Sequence, residues 1–310
     1  MYRVIAKTKG MPREEWLRLR RCGIGGSDAG AVCGVNPYSS PMKVFRDKTG
    51  GETEEVNSEA VRTGHDLEQY VAERFMEASG LKVRRANVMY ASVEHPFMIA
   101  DVDRLVIGMD AGLECKTVSA YGADQWADGN VPPHYALQCY HYMAVTGRKT
   151  WYIAALIMGR EFVYRKLIWD DRLVWQLVET EERFWNDHVM KGIMPEPDGS
   201  GDCDRVISQY YRRAGEGSTV ELSGFDGKLD RREEILAEIR ELEREQKQIE
   251  QEVKLYMKEA ESASSGHYRV SWKNVDTTRL DTARIREEQP GIYRDYSRVT
   301  TSRRLQIRAA

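Results

Sequence analysis

Two apolar stretches of the chain carry acids that an ordinary core would not accept. LECKT, at 113–117, places Glu114 and Lys116 two residues apart. IADVDRLV, at 99–106, carries Asp101 and Asp103. In a strand, side chains i and i+2 project from the same face. Glu114 and Lys116 therefore share one face, and Leu113 and Cys115 face a core. By the same rule Asp101 and Asp103 share a face of the preceding strand, with Ala100 and Val102 behind them. If the strands pair through a turn at Asp110-Ala111-Gly112, one or both aspartates come beside Glu114. Carboxylates converging next to a lysine repel one another unless a cation lies between them. A hard divalent ion such as Mg²⁺ takes oxygen ligands and keeps several waters. Such ions stabilise the attacking and leaving oxygens of phosphodiester hydrolysis. The lysine then orients or helps deprotonate the attacking water. The plain alternative is a cross-strand ion pair on a solvated face.

The elements that must hold these groups follow from periodicity. PREEWLRLRR at 12–21 reads as a short helix opened by proline. GIGGSDAGAVCG at 23–34 packs five glycines into a tight turn, with Ser27 or Asp28 capping a second helix. Residues 42–49 read as a helix ending at Gly50-Gly51. RTGHDLEQYVAERFMEASG at 62–80 has apolar residues at helical spacing and Gly80 as its C-cap. Three strands are expected at 81–92, 97–108 and 111–119, then a helix over 132–147 between proline and glycine. A hairpin over 150–169 and an amphipathic helix over 170–191 complete the core. The expected fold is mixed α/β, a central β-sheet flanked by helices, over residues 1–200.

Past this point the composition changes. Residues 201–227 are rich in Gly, Ser and acids and read as a linker. Residues 228–262 read as a long helix with a narrow seam of Ile235, Ile239, Leu242, Gln246, Ile249, Val253 and Tyr256. The seam is read as packing on its own chain, the alternative being a coiled coil with another chain. Residues 263–310 form a small α+β module in which HYRVSWKNV and SRRLQIR alternate like strands. That module carries ten Lys and Arg against five Asp and Glu, whereas the whole 310-residue chain has a net charge of −3. No global basicity points to a polyanion, so a nucleic-acid site must be local or work through metal ions.

Several classes are disfavoured. The five cysteines, 22, 33, 115, 139 and 203, show no C-x-x-C spacing, which argues against a disulfide framework, a zinc site or an iron–sulfur staple. No Walker motif is present, so no motor is expected on this chain. The N-terminal stretch lacks an apolar signal-peptide core, and no apolar run approaches the ~20 residues needed to span a bilayer. The expectation is a cytoplasmic protein without membrane contact.

The D-x(10)-E-x-K spacing of Asp103, Glu114 and Lys116 resembles the PD-(D/E)xK nuclease superfamily. Four further stretches resemble its YqaJ-type viral recombinase branch, relatives of phage lambda exonuclease. These are WLRLRRCGIGGSDAGAVCGVNPYSSPMKVFRDKTG at 16–50, RTGHDLEQYVAERF, IADVDRLV and YALQCYHYM at 135–143. The resemblance covers residues 12–200 and implies a restriction-endonuclease-like core. Residue by residue, it implies that Asp103 and Glu114 bind metal and that Cys115 lends a main-chain carbonyl. Lys116 takes the place of the catalytic lysine. Glu68 binds metal through water or relays a proton, and Gln138 and Tyr142 border the site. Arg20 and Ser27 fall where relatives hold the 5′-phosphate and adjacent DNA backbone. Arginine forks onto phosphate oxygens, and a serine hydroxyl at a Gly-rich turn also binds anions. Asp101 is a rival to Asp103, and Asp110 a weaker one.

The activity implied is Mg²⁺-dependent hydrolysis of double-stranded DNA, with two ions and Mn²⁺ as a substitute. A 5′→3′ exonuclease of phage or prophage origin would leave 3′ overhangs for a single-strand annealing protein, and a ring trimer would make digestion processive. An endonuclease on the same scaffold and a silent DNA-binding module are the alternatives.

Overall fold

The chain's computed structural model describes residues 1–50, 58–215 and 217–308. It divides into two units, Met1–Tyr211 and Arg212–Ala310. Gly51, the expected end of the third helix, lies outside the described residues.

The first unit is built on two sheets joined by strands that switch between them. One sheet has the order β3-β6-β7-β8-β9: β3 Val83–Arg85, β6 Arg104–Val106, β7 Ala111–Val118, β8 Thr150–Ile157 and β9 Glu161–Ile168. β6 and β7 pair antiparallel, β7 and β8 parallel, and β8 and β9 form the expected hairpin. The other sheet has the order β1-β4-β5-β2: β1 Tyr2–Lys7, β4 Val88–Ser92, β5 Met98–Asp101 and β2 Ile24–Gly25. The mixed α/β class is as expected. The two long strands expected at 81–92 and 97–108 are each divided. The chain leaves one sheet after Arg85 and rejoins the other at Val88, with Asn87 between them at φ 54°. It crosses back through Val102 and Asp103.

The two faces of β7 and β8 bury against different helices, which explains their alternation. Ala111, Leu113, Tyr152 and Ala154 pack on Val71, Ala72 and Phe75 of α4, Glu59–Ser79. Trp151, Ile153 and Ala155 point the other way, onto Cys139, Tyr142 and Met143 of α5, Pro133–Thr146. Even-numbered positions of β7 thus face α5. Gly112 has no freedom to change, since a Cβ there would lie 2.3 Å from the Trp151 ring. Both helices end as expected, α4 at Gly80 and α5 at Gly147, each left-handed at φ 73° and 74°.

Around this core sit α1 (Arg13–Arg21), α2 (Gly26–Val32), α3 (Pro41–Lys48) and α6 (Asp171–Phe184), the last followed by a π-helical turn. Residues 120–129, between β7 and α5, form 3-10 turns kinked at Asp128. Residues 201–210 are a helix, α7 Gly201–Tyr210, and not linker. Ser200 caps it, Cys203 and Val206 bury against Met42, and Asp202 accepts hydrogen bonds from Ser40 N and Oγ at 2.8 and 2.9 Å. Three polar anchors and a small apolar contact suffice to dock a segment whose composition reads as a spacer.

The second unit is led by α8, Asp226–Met257, with a short hairpin of β10 Ser262–Ser264 and β11 Arg269–Ser271. Two short helices follow, α9 Thr282–Glu288 and α10 Pro290–Tyr296. SRRLQIR forms no strand here. Within the second unit most of the α8 seam is left uncovered. Ile235, Ile239, Leu242 and Ile249 are 41, 42, 65 and 56% exposed.

Candidate active site

The register of β6 on β7 pairs Arg104 with Leu113. One step further brings Asp103, at the sheet crossover, opposite Glu114. Asp103 Oδ2 accepts from the main-chain N–H of Cys115 at 2.8 Å, which locks the carboxylate onto β7. Glu114 is 3% exposed and faces α5. Its Oε1 accepts from Gln138 Nε2 at 2.6 Å and from Lys116 Nζ at 2.7 Å. Lys116 Nζ also donates to Gln138 Oε1 at 2.9 Å and lies 4.8 Å from the Tyr135 ring. Gln138 Nε2 further reaches the Tyr142 hydroxyl at 2.9 Å. Gln138 and Tyr142 stand one turn apart on α5, so one amide holds acid, lysine and tyrosine together.

Burial, then Glu114 and Glu68, push the Asp103 carboxyl well above the usual range, against the pull of Lys116 and the Cys115 N–H. The Lys116 pKa rises too, but for an amine that favours the charged form. Burial opposes its charge, but Glu114 and Asp103 outweigh that and hold it protonated above the usual lysine range. Negative charge is therefore in excess at this spot. The buried Oε2 of Glu114 has no hydrogen-bond partner. A buried carboxylate oxygen left without a donor is costly. With Oε1 fully engaged, Oε2 and the neighbouring Asp103 form an oxygen donor set that suits a hard cation. Among the described residues no three His, Cys, Asp or Glu side chains form a ready metal cluster. Two carboxylates fit an ion that retains much of its water shell.

Glu68 lies on the same cleft but is bonded to Arg104, which also donates to Gln69 Oε1 at 3.1 Å and to the Asp103 carbonyl at 2.8 Å. Although Asp103 lies at the crossover to the other sheet, Asp101 ends β5 and lines the same cleft. It accepts from Trp16 Nε1 at 2.6 Å. Asp110 lies in the turn, paired with Arg148 at 2.5 Å.

Arg20 and Ser27 come together, Arg20 Nη2 donating to Ser27 Oγ at 2.8 Å. Neither Ser27 nor Asp28 is the N-cap of α2. That position is Gly25, whose N–H donates to Asp28 Oδ2 at 2.9 Å. Asp28 also meets Arg20 at 3.2 Å and the fully buried amine of Lys48 at 2.7 Å. Burial raises the Asp28 pKa, but Lys48 and Arg20 overcome it and hold the carboxyl far below its usual range. Gly26 is required beside them: a Cβ there would stand 2.5 Å from the Tyr142 ring. The Arg20 guanidinium lies 5.1 Å from the Trp16 ring centre and that of Arg13 4.4 Å from it.

Asp103, Glu114, Glu68, Gln138, Tyr142, Arg20 and Ser27 all line one cleft of about 720 Å³. Arg13, Arg62, Arg85 and Arg104 line it too, giving five arginines against the four acids Glu68, Asp101, Asp103 and Glu114. Sequence reasoning missed Trp16, Lys48 and Arg104. Their partners lie at separations of 85, 28 and 36 residues, with no local signal to link them.

The fold resembles that of a solved exonuclease. The alkaline exonuclease LHK-Exo from Laribacter hongkongensis superposes with a TM-score of 0.50 at 19% identity, over 58% of this chain and 94% of that one. A putative exonuclease from Eubacterium rectale gives 0.47 at 14% identity, over 70% and 97%. The YqaJ-like viral recombinase domain model matches residues 15–149. The uncharacterized protein YqaJ of Bacillus subtilis (strain 168) is 37% identical over 310 residues, covering 98% of this chain and 97% of that protein. The chain belongs to the YqaJ-like viral recombinase family. Among the described residues, no helix is long and apolar enough to cross a membrane.

Proposed function

We propose that this protein is a Mg²⁺-dependent deoxyribonuclease, a 5′→3′ exonuclease on double-stranded DNA ends. The observation that carries the reading is the partnerless, buried Oε2 of Glu114 beside Asp103, with the Lys116 ammonium fixed on the other oxygen. Asp103, Glu114 and the Cys115 carbonyl would hold the metal, which would supply charge neutralisation for the scissile phosphate and an activated water. Glu68 is tied to Arg104, so its share is at most through water.

The chain's own groups divide the remaining work. Lys116, kept cationic, aims an N–H at a phosphate oxygen or at the attacking water. Gln138 fixes the lysine, the glutamate and Tyr142 in one geometry, so little reorganisation remains for the reaction. Arg20 and Ser27 receive the terminal 5′-phosphate, with the guanidinium over the Trp16 ring and its fork oriented by Asp28. The arginines of the cleft offset the acids and favour a polyanion. A 3′ overhang left by such an enzyme is the substrate of a single-strand annealing protein.

The test is a linear duplex labelled at either end, with and without Mg²⁺, chelator and a 5′-phosphate. Mononucleotide release from 5′ ends only, lost with chelator and in Lys116→Ala, is the expected result. Equal activity of Lys116→Ala would sink the proposal. Indifference to the 5′-phosphate would remove Arg20 and Ser27 from their role. Cleavage of closed circular DNA would replace exonuclease with endonuclease.

A further inference from the structure

The open seam of α8 has a charge pattern that constrains what can cover it. With Ile235, Leu242, Ile249 and Tyr256 at the d positions of a heptad, Ile239, Gln246 and Val253 fall at a. The seam is unbroken over three heptads except for Gln246, and a lone polar residue at an a position sets register and partner number in helix pairs. The flanking g positions are Glu238, Glu245 and Glu252, and the e positions include Glu243 and Glu250. No lysine or arginine flanks the seam between 235 and 256. The basic residues of that stretch, Arg240, Arg244, Lys247 and Lys254, occupy b and f positions on the back. Contacts within the helix do not cancel the acidic flank. Arg231 reaches Glu238 at 3.2 Å and Lys247 reaches Glu250 at 4.0 Å, both exposed pairs of small worth.

At its C-terminal end the seam runs into an apolar groove of about 560 Å³ between α8 and the β10–β11 hairpin. Ile249, Val253, Tyr256, Met257, Tyr268 and Val270 line it. The landing surface is therefore a helix face plus a pocket.

Three occupants meet this surface differently. A second copy in parallel sets Glu238 against the other Glu243, and Glu245 against the other Glu250. An antiparallel copy sets e against e and g against g, again glutamate on glutamate. Nucleic acid meets a row of carboxylates. Only a helix with apolar seam residues and basic flanks gains from both features at once.

We infer that α8 is a docking helix for a different protein, one that presents an amphipathic helix with Lys or Arg on the two positions flanking its apolar seam. Recognition has two parts. The seam and groove supply apolar burial, and the glutamates supply choice of partner and faster encounter. The inference stands apart from the nuclease reading, since α8 holds none of the residues in the cleft.

The test uses the full chain and two synthetic helices with the same Ile/Leu seam and one Asn placed against Gln246. One helix carries Lys at every e and g position, the other Glu. By fluorescence anisotropy the lysine helix should bind at least about tenfold tighter, the sum of several weak flanking pairs. That advantage should shrink when salt is raised from about 0.1 M to about 1 M. The triple variant Glu238→Lys, Glu245→Lys, Glu252→Lys keeps helix-favouring residues and should reverse the preference. Leu242→Asp with Ile249→Asp should abolish binding of both helices while nucleotide release is unchanged. Equal affinity for the two helices, or no binding of either, would overturn the inference. So would amides 235–256 already slow in hydrogen exchange in the chain alone, which means the chain covers its own seam. A dimer in sedimentation that Leu242→Asp dissolves would assign the seam to a second copy.

Discussion

Two buried ion pairs lean on α5, and they are finished differently. His141 and Glu181, from α5 and α6, are both fully buried. His141 Nδ1 meets the two Glu181 oxygens at 2.8 and 3.0 Å, and its Nε2 meets the Ile99 carbonyl at 2.9 Å. Both ring nitrogens face oxygens, and Glu181 and the Ile99 carbonyl raise the His141 pKa against burial, which favours the imidazolium. Every polar atom of that pair has a partner. One turn earlier on the same helix, Gln138 holds the Lys116–Glu114 pair, and there one carboxylate oxygen is left empty. The first pair clamps α5 to α6 and β5. The second carries a standing cost at a cleft that solvent and substrate can enter. A fold that can complete one pair and leaves the other incomplete marks where a ligand belongs.

The largest effect expected is on activity. Asp103→Asn keeps an oxygen for the Cys115 N–H but removes the charge, and should cut nucleotide release about a thousandfold or more. Stability should move the other way. The raised Asp103 pKa means the fold disfavours its charge. The melting temperature of the variant should match or exceed that of the parent, read by thermal unfolding without metal. Loss of both activity and stability would make Asp103 a structural residue and erase the contrast. The completed pair should respond in reverse. His141→Ala leaves Glu181 buried and alone, which costs about 3–5 kcal/mol in urea unfolding. His141→Leu with Glu181→Leu should recover most of that, short by about 1 kcal/mol for the orphaned Ile99 carbonyl. No recovery in the double variant would mean the pair does more than clamp.

How much of this was legible follows from how local each signal is. The face shared by Glu114 and Lys116 is a property of four consecutive residues, and the sheet preserves it. The nearness of Asp103 to Glu114 needs only a tight turn, also local, though that turn falls at 107–110 and Ala111 and Gly112, expected in it, begin β7. The different bonding of Asp101 and Asp103 has a physical cause. Period-two reasoning holds within one strand, and this chain changes sheets at Val102–Asp103, which a run of apolar residues does not announce. Lys48, 28 residues from the Arg20 carbonyl it bonds, is invisible for the same reason. α7 hid behind Gly, Asp and Pro because its docking relies on Ser40 and Asp202 more than on an apolar stripe. The α8 seam was legible, but not what covers it, since the heptad pattern is the same for packing inward or outward.

The His141 pair also gives a pH signature. Burial opposes the imidazolium, yet Glu181 and the Ile99 carbonyl raise the His141 pKa above its free value. A raised folded pKa means the folded state binds the proton more tightly. The stability from this source is whole below the free-histidine value of about 6.5 and is lost as pH climbs through the folded one. The difference in urea midpoint between the parent and the His141→Leu/Glu181→Leu variant should narrow on the alkaline side, by about 1.4 kcal/mol for each unit of pKa shift. A difference that widens as pH rises would mean His141 is neutral in the fold.

The smallest effect expected is the one that separates the two aspartates most cleanly. Asp101 and Asp103 line the same cleft two residues apart, and strand periodicity alone prefers neither. Asp101 spends Oδ2 on the Trp16 indole N–H at 2.6 Å, and its pKa is raised, burial outweighing the help of Trp16 and Arg20. An asparagine at 101 still accepts from the indole, so Trp16 keeps its place against Arg20. Asp101→Asn should therefore leave stability within about 1 kcal/mol, the scale of one hydrogen bond. Nucleotide release should stay within about threefold, under 1 kcal/mol of barrier. Metal titrations of activity should not shift, because no metal oxygen has been removed. If Asp101→Asn instead matched Asp103→Asn in lost activity, the excess carboxylate would be a third ligand, and the contrast between completed and incomplete pairs would have to be redrawn around both aspartates.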